Sequence, residues 1–385
     1  MKLSWALAAL LGGCSQDIDP ATPDPGPPPI PGNVPAPGAT NRSDVWDDLF
    51  NARRLDYNLA LRTAALKLVG DLPTLQEIED VHGATDPATV YAQKIDAYLA
   101  DRRFSGALVR FFRNSFRTGG PGRDTAATFA AMLVVQDRPL TDLFTATSGT
   151  CPTRDPATGG FAPADCGNGV PSAVGVLTDP GVMAAWYGNL AMRRVRWVQE
   201  SFVCRKFPTE FSTAPIPKGN GQYTSPWPFE SVPDKTTGRI DFRDTSSVIC
   251  ANCHTTMNHM APLFANFDDT GTLQGTVQVH VPVLGLPAAQ RSDWLVAGEG
   301  LAWRHGEPVT DLASLGHAIA VDPDVHECLV ARVWNWALSK TDIVTDAQTV
   351  PDWIVAGLRE QLEASGFRLK GVIRSAFLSK DFVRF

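Results

Sequence analysis

Apolar residues recur at three- and four-residue spacing over most of the chain, the period of a helix with one buried face. Such runs predict helices over Val45 to Leu68, Ala88 to Leu99, Phe104 to Phe112 and Ala126 to Val135, the last ending before Arg138-Pro139. Asp71-Leu72-Pro73-Thr74 interrupts the first run, and Thr74 with Glu77 forms a capping box for a further helix. Asp179-Pro180 opens another, which runs to Cys204 with a break near Gly188-Asn189. The pattern returns over Asp311 to Ala320, Pro323 to Leu338, Pro351 to Ala364 and Leu369 to Phe377. Strict alternation appears in Thr276 to Val283, TVQVHVPV, and predicts a short strand or hairpin arm. Pro208 to Pro233, rich in Pro, Gly and Ser, reads as an irregular covering loop. The expected fold is mainly α, multi-helical, with a short β element and no internal repeat.

At 385 residues, 44% apolar and 19% charged, the chain can build one large or two ordinary domains with real cores. A net charge of -7 without a dense Lys/Arg run argues against a nucleic-acid surface. The ten Trp and nineteen Phe mostly fall at helical core spacing, so they do not suggest a carbohydrate platform.

The first residues carry an address. Met1-Lys2, an apolar stretch from Leu3 to Leu11, and then Gly12-Gly13-Cys14 resemble a bacterial lipoprotein signal, with Cys14 acylated. An ordinary secretory signal with a chance cysteine is the plainer alternative. Pro20 to Gly38 holds nine prolines in nineteen residues, which favours an extended, semi-rigid spacer between an anchor and a folded body. Ser15 after the cysteine resembles the outer-membrane sorting choice of Gram-negative bacteria.

The densest chemistry lies in VICANCHTTMNHMAPLFANFD, where Cys250, Cys253 and His254 spell C-x-x-C-H. Two thiols on one turn can each add across a vinyl group of one porphyrin, and the adjacent imidazole then faces the iron. A structural zinc site would need two further ligands, and no second C-x-x-C or H-x-x-x-H exists. A redox dithiol would need a thioredoxin-like βαβ setting, which the helical surroundings do not supply. A local structural bridge is the remaining alternative. One covalent haem c, with His254 as proximal iron ligand, is therefore expected.

With Cys14 given to lipid and Cys250 with Cys253 to the cofactor, Cys151, Cys166, Cys204 and Cys328 remain, an even set in an exported chain. Cys151 and Cys166 flank a Gly/Pro/Asp-rich loop that a local bridge would pin, leaving Cys204 with Cys328. Four cysteines allow three pairings, so the others stay open.

The distal iron ligand is open too. Met257, His259 and Met260 follow His254 too closely to leave its side of a porphyrin unless the helix breaks, as at Ala261-Pro262. His280, on the polar side of TVQVHVPV, is the distal candidate; a solvent-facing strand histidine is its plain alternative. His305, His317 and His326 downstream and Met132, Met183 and Met192 upstream complete the set, and helix-surface placement is the simpler expectation for His317 and His326. Were the distal position open, as in a haem enzyme, Arg193, Arg194, Arg196, Arg304 or His305 can supply a distal acid or cation, although a charged surface explains them equally well.

At these residues the chain resembles the large cytochrome c-like lipoproteins of planctomycetes and myxobacteria, a family built of domains of unknown function. Cys250 to His254, followed by Ala261-Pro262-Leu263-Phe264 and Asn266-Phe267-Asp268, is similar to their haem motif with its trailing "DPLGF…ENFD", although Met260-Ala261-Pro262 stands where Asp-Pro is common. Gly175 to Pro180 with Arg193-Arg194 and Trp197 up to Cys204 looks like the preceding block. Cys328 to Leu338 and Ser365 through Phe382 resemble the closing helices, and Arg62 to Phe112 the helical N-terminal region. The likeness implies an exported single-haem protein and supports Cys204 pairing with Cys328; it supplies no reaction.

The expected organisation is a lipoprotein signal over 1–14, a Pro-rich linker over 15–42, an N-terminal helical region over 43–150, a disulfide-bearing loop over 151–173, a haem-binding region over 174–285 and a C-terminal helical region over 286–385. The expected activity is electron transfer to an unidentified redox partner from an outer-membrane lipid anchor, with membrane contact through the lipid only. Peroxidase- or oxidase-like haem catalysis and a haem-free zinc or disulfide scaffold are the alternatives.

Overall fold

The most apolar of the described helices, Thr125–Val135, is α5, and every residue from Ala126 to Val134 is buried. A helix apolar all round belongs inside, and here others surround it. In the computed structural model, which describes residues 52–120, 122–206, 216–218, 221–223, 254, 256–281, 285–295, 297–340, 344 and 350–385, the architecture is mainly helical with a few short antiparallel strands. Cys14, the proline-rich spacer, Cys250 and Cys253 lie outside the described residues.

The N-terminal helices are α1 (Tyr57–Leu68), α2 (Leu75–His82), α3 (Pro87–Ala100) and α4 (Phe104–Phe116), followed by α5 and the short α6 (Asp142–Thr145). The capping box expected at α2 is present, with Thr74 N donating to Glu77 Oε2 at 2.7 Å and Glu77 N to Thr74 Oγ1 at 3.2 Å. α1 begins later than the apolar period suggests. Residue 56 is extended, with φ −144°, and the Asp56 carboxylate accepts from Leu59 N at 2.9 Å, so the cap sets the start at Tyr57. Phe104, Leu108, Phe111, Phe112 and Phe116 of α4 lie buried where it packs on α5. Each such burial contributes about 1.5–3 kcal/mol.

Next come α7 (Pro180–Ala185) and α8 (Met192–Phe202), separated where Leu190 and Ala191 both adopt φ +55°, close to the expected break. The C-terminal helices are α9 (Leu312–Ala320), α10 (Pro323–Ala337), α11 (Asp352–Ala364) and α12 (Leu369–Leu378). α12 packs on α3, α10 and α11, and Tyr91 of α3 donates through its hydroxyl to Phe377 O at 2.8 Å. Arg54 N donates to Phe385 O at 3.0 Å and Phe385 N to Arg54 O at 2.9 Å, so these two strips close on each other.

Both disulfides form. Cys151–Cys166 has a Cα–Cα separation of 5.0 Å and Cys204–Cys328 one of 5.3 Å. The first pins a loop that holds a two-stranded pairing, β1 (Thr153–Arg154) with β2 (Phe161–Ala162). The second joins the end of α8 to α10. A second hairpin, β3 (Ile216–Lys218) with β4 (Gly221–Tyr223), falls in the stretch expected to be irregular. β5 (Ala302–Trp303) pairs with β6 (Glu307–Pro308).

The TVQVHVPV strand does not form as a ladder over its described residues, 276–281. Gln278 N donates to Ala265 O at 2.9 Å and Val281 N to Pro287 O at 3.0 Å, dividing the backbone between two neighbours and leaving one isolated bridge, His280 with Ala288. The alternation itself is real: Val279 and Val281 are buried while His280 is half-buried.

Candidate functional site

The C-x-x-C-H motif enters the described structure at its histidine. His254 and residues 256–260 are helical and run into a tight 3₁₀ turn, Ala261–Phe264, so the helix does break at Ala261-Pro262. From Thr256 onward this segment is sunk in the protein: Asn258, Met260, Ala261 and Phe264 are fully buried, and His259 is 1% exposed. His254 is half-buried, with Nδ1 3.2 Å from Asn258 Oδ1 one turn along. Burial pushes its pKa below the ordinary histidine value, with the Asn258 hydrogen bond opposing. The ring is thus neutral at pH 7, the form that can give a lone pair to a metal. His259 Nε2 lies 3.5 Å from Glu299 Oε2, a pair largely withdrawn from water.

Polar bonds to the backbone hold the stretch after this turn. Arg194 on α8 is fully buried, and its guanidinium donates to Met183 O at 2.7 and 3.1 Å, Phe264 O at 2.8 Å, Phe267 O at 2.9 Å and Asp268 O at 2.8 Å. It clips α7 and α8 to the carbonyl end of the motif segment. Its charge also sits over the Tyr187 and Phe267 rings, 5.3 and 5.9 Å from their centroids. Burial lowers its pKa to about 10, with Tyr187 and Asp268 opposing, so it stays cationic at neutral pH.

Asp268 organises the next loop. Its carboxylate accepts from Thr270 N at 2.9 Å, Thr270 Oγ1 at 2.7 Å, Thr272 N at 2.9 Å and Gln274 Nε2 at 2.7 Å. Desolvation alone would raise its pKa, but these bonds outweigh it and hold the group at about 2. Gly271 in this loop has φ +82°, and a Cβ there would stand 2.1 Å from Pro180 O, so no other residue fits. Asn168 Nδ2 donates to Thr178 O at 2.9 Å and Gly271 O at 3.0 Å, tying the loop to the disulfide-bearing segment.

No protein-family model, curated protein or solved structure matches this chain. Function must therefore be argued from these residues alone.

The other candidates scatter. His280 lies beside the same region, since its carbonyl accepts from Leu190 N at 3.1 Å and the 3₁₀ turn at Leu190 packs on Ala261–Phe264. Its Nδ1 is buried and has no hydrogen-bond partner among the described residues. Met132 and Met183 are core residues, and Met192, half-buried, begins α8. His326 is not a helix-surface residue: it is 9% exposed, its Nε2 lies 2.9 Å from Ala320 O and its ring packs on Phe367. His317 is exposed on α9, and His305, half-buried, adopts φ +56°.

A charged surface does not account for Arg194 or for Arg304. Arg304 is buried, with Nη1 3.1 Å from Asp322 Oδ2 and Nη2 2.5 Å from Asp324 Oδ2. Arg193 and Arg196 do reach outward, Arg193 to Tyr187 O and Arg196 to Glu200. The sequence assigns no role to Asn258 or Asp268: Asp268 appears only within the Asn266-Phe267-Asp268 likeness, and the signal for Asn258 is its spacing of one helical turn from His254. Among the described residues no group of three or more His, Cys, Asp or Glu side chains could hold a metal ion, and no helix is long and apolar enough to cross a membrane.

Proposed function

We propose that this chain is an exported, lipid-anchored, single-haem c-type cytochrome that passes electrons to a partner protein. The carrying observation is C-x-x-C-H in a chain whose four described cysteines pair. Cys250 and Cys253 hold the haem by thioethers, His254 is its proximal ligand, and Cys14 bears the lipid. The described residues fit such a group: His254 is a half-buried, neutral imidazole at the start of a buried helical segment. When bound, the haem supplies a one-electron couple. The chain's own part is to orient the imidazole, exclude water from the segment behind it and fix that segment through Arg194. His280 is the distal candidate, and its unpartnered, buried Nδ1 favours it over the other histidines.

The two disulfides support export, since such bridges persist in oxidising compartments. The likeness to planctomycete and myxobacterial cytochrome c-like proteins belongs to the same proposal. Its test is the optical spectrum of full-length protein from a host that matures c-type cytochromes, before and after carbon monoxide addition to the reduced form. A thioether-haem spectrum unmoved by carbon monoxide is expected; Cys250→Ser with Cys253→Ser abolishes it, and His280→Ala makes the reduced form bind the gas. A wild-type shift with carbon monoxide would replace electron transfer by catalysis at an open iron. Absence of covalent haem would overturn the proposal.

A further inference from the structure

We infer that Asn258 is a positioning residue that fixes the proton of His254 on Nδ1 and so leaves the ring's lone pair on Nε2. Its effect on iron rests on the haem proposal above; the placement of the proton does not.

Asn258 is fully buried on the motif helix, among Met260, Ala261 and Phe264, themselves fully buried. A carboxamide taken from water into such surroundings costs about 1–3 kcal/mol unless its polar atoms are used. Here the oxygen is used: Oδ1 lies 3.2 Å from His254 Nδ1. A carboxamide oxygen only accepts, so Nδ1 must donate, and a neutral ring then has no proton on Nε2. Free imidazole side chains in water carry the proton mainly on the other nitrogen, so the chain has reversed the resting preference. The bond also fixes the ring plane through a side chain on the same turn and adds electron density to the ring, strengthening Nε2 as a donor. The opposite amide orientation, with Nδ2 donating to Nδ1, would put the proton on Nε2 and block that nitrogen; solution measurement separates the two.

Two measurements decide the matter. In full-length protein made without haem maturation, and shown to be folded by its amide dispersion, long-range proton–nitrogen correlation of His254 should report the Nδ1-protonated tautomer. Asn258→Leu should return it to the Nε2-protonated form. A wild-type ring protonated on Nε2 would overturn the inference. In haem-loaded protein, Asn258→Asp should lower the reduction potential and Asn258→Leu should raise it, because a stronger or absent acceptor makes His254 a better or poorer donor to iron. If Asn258→Leu keeps covalent haem and the wild-type potential, Asn258 does not tune the iron. If no chain carries covalent haem, the cytochrome proposal fails, and the tautomer measurement still decides what Asn258 does.

Discussion

In α1 to α5 the buried side chains are nearly all hydrocarbon and aromatic, with Ser105, Ser115 and Thr128 the buried polar ones among the described residues. Between residues 254 and 308 burial takes in Thr256, Asn258, His259, Asp293 and Arg304, with Arg194 reaching in from α8. The first region is helix against helix. The second is turns, bridges and short segments whose carbonyls are met by side chains. Apolar burial is non-directional, so it fixes a fold but tolerates small shifts. Hydrogen bonds to named carbonyls fix position, and the second region uses them through Arg194. The trade is fragility, since each buried carbonyl needs its donor.

The largest effect should come from removing the clip. Arg194→Leu leaves the carbonyls of Met183, Phe264, Phe267 and Asp268 without this donor, a loss of about 4 kcal/mol or more at about 1–3 kcal/mol for each orphaned group. Hydrogen exchange followed by mass spectrometry should show residues 256–281 opening while α1 to α5 keep their protection. Uniform loss across both regions would show that the contrast is only descriptive. Phe129→Ala, in the fully buried α5, is the matching test of the hydrocarbon region, with an expected loss of about 3–4 kcal/mol. Urea unfolding should show one cooperative transition at a lower midpoint, and a change below about 1 kcal/mol would mean that α5 is not the centre of that core.

Asp179 sharpens the comparison through pH. It caps α7 and is fully buried; burial pushes its carboxyl up to about 6 from the ordinary 3.8, while bonds such as that from Val182 N, at 2.8 Å, oppose the rise. Between those values the folded chain holds a proton that the unfolded chain has released, so stability falls as pH rises from about 4 to about 6 and stays lower above. Asp179→Asn keeps a capping oxygen and removes the titration. The variant should gain up to about 3 kcal/mol on wild type at about pH 7.5 and nothing at about pH 3.5. An equal difference at both pH values would assign the effect to packing.

The helical region was legible because its information is local. Period, Thr74 with Glu77 and Asp179-Pro180 place the helices to within a few residues, and where the period overran, Asp56 shows why. Counting and loop composition favoured the disulfide pairing that forms, without excluding the other two. In the site region only the motif and the break at Ala261-Pro262 were legible. Arg194 is an ordinary arginine of an amphipathic helix until Phe264 and Phe267 are brought beneath it, from 70 and 73 residues away. TVQVHVPV misled for a related reason: alternation reports which side faces the core, and it does not say whether a partner strand exists.

The Cys204–Cys328 bridge spans 124 residues and makes the stretch between them a closed covalent ring that contains the C-x-x-C-H motif. A protease that cuts this ring once yields a linear insertion, not two fragments, and both halves remain one molecule until a reductant is added. A single peptide-bond cut around the motif therefore leaves the chain in one piece, and parting it takes either a second cut or reduction of the bridge.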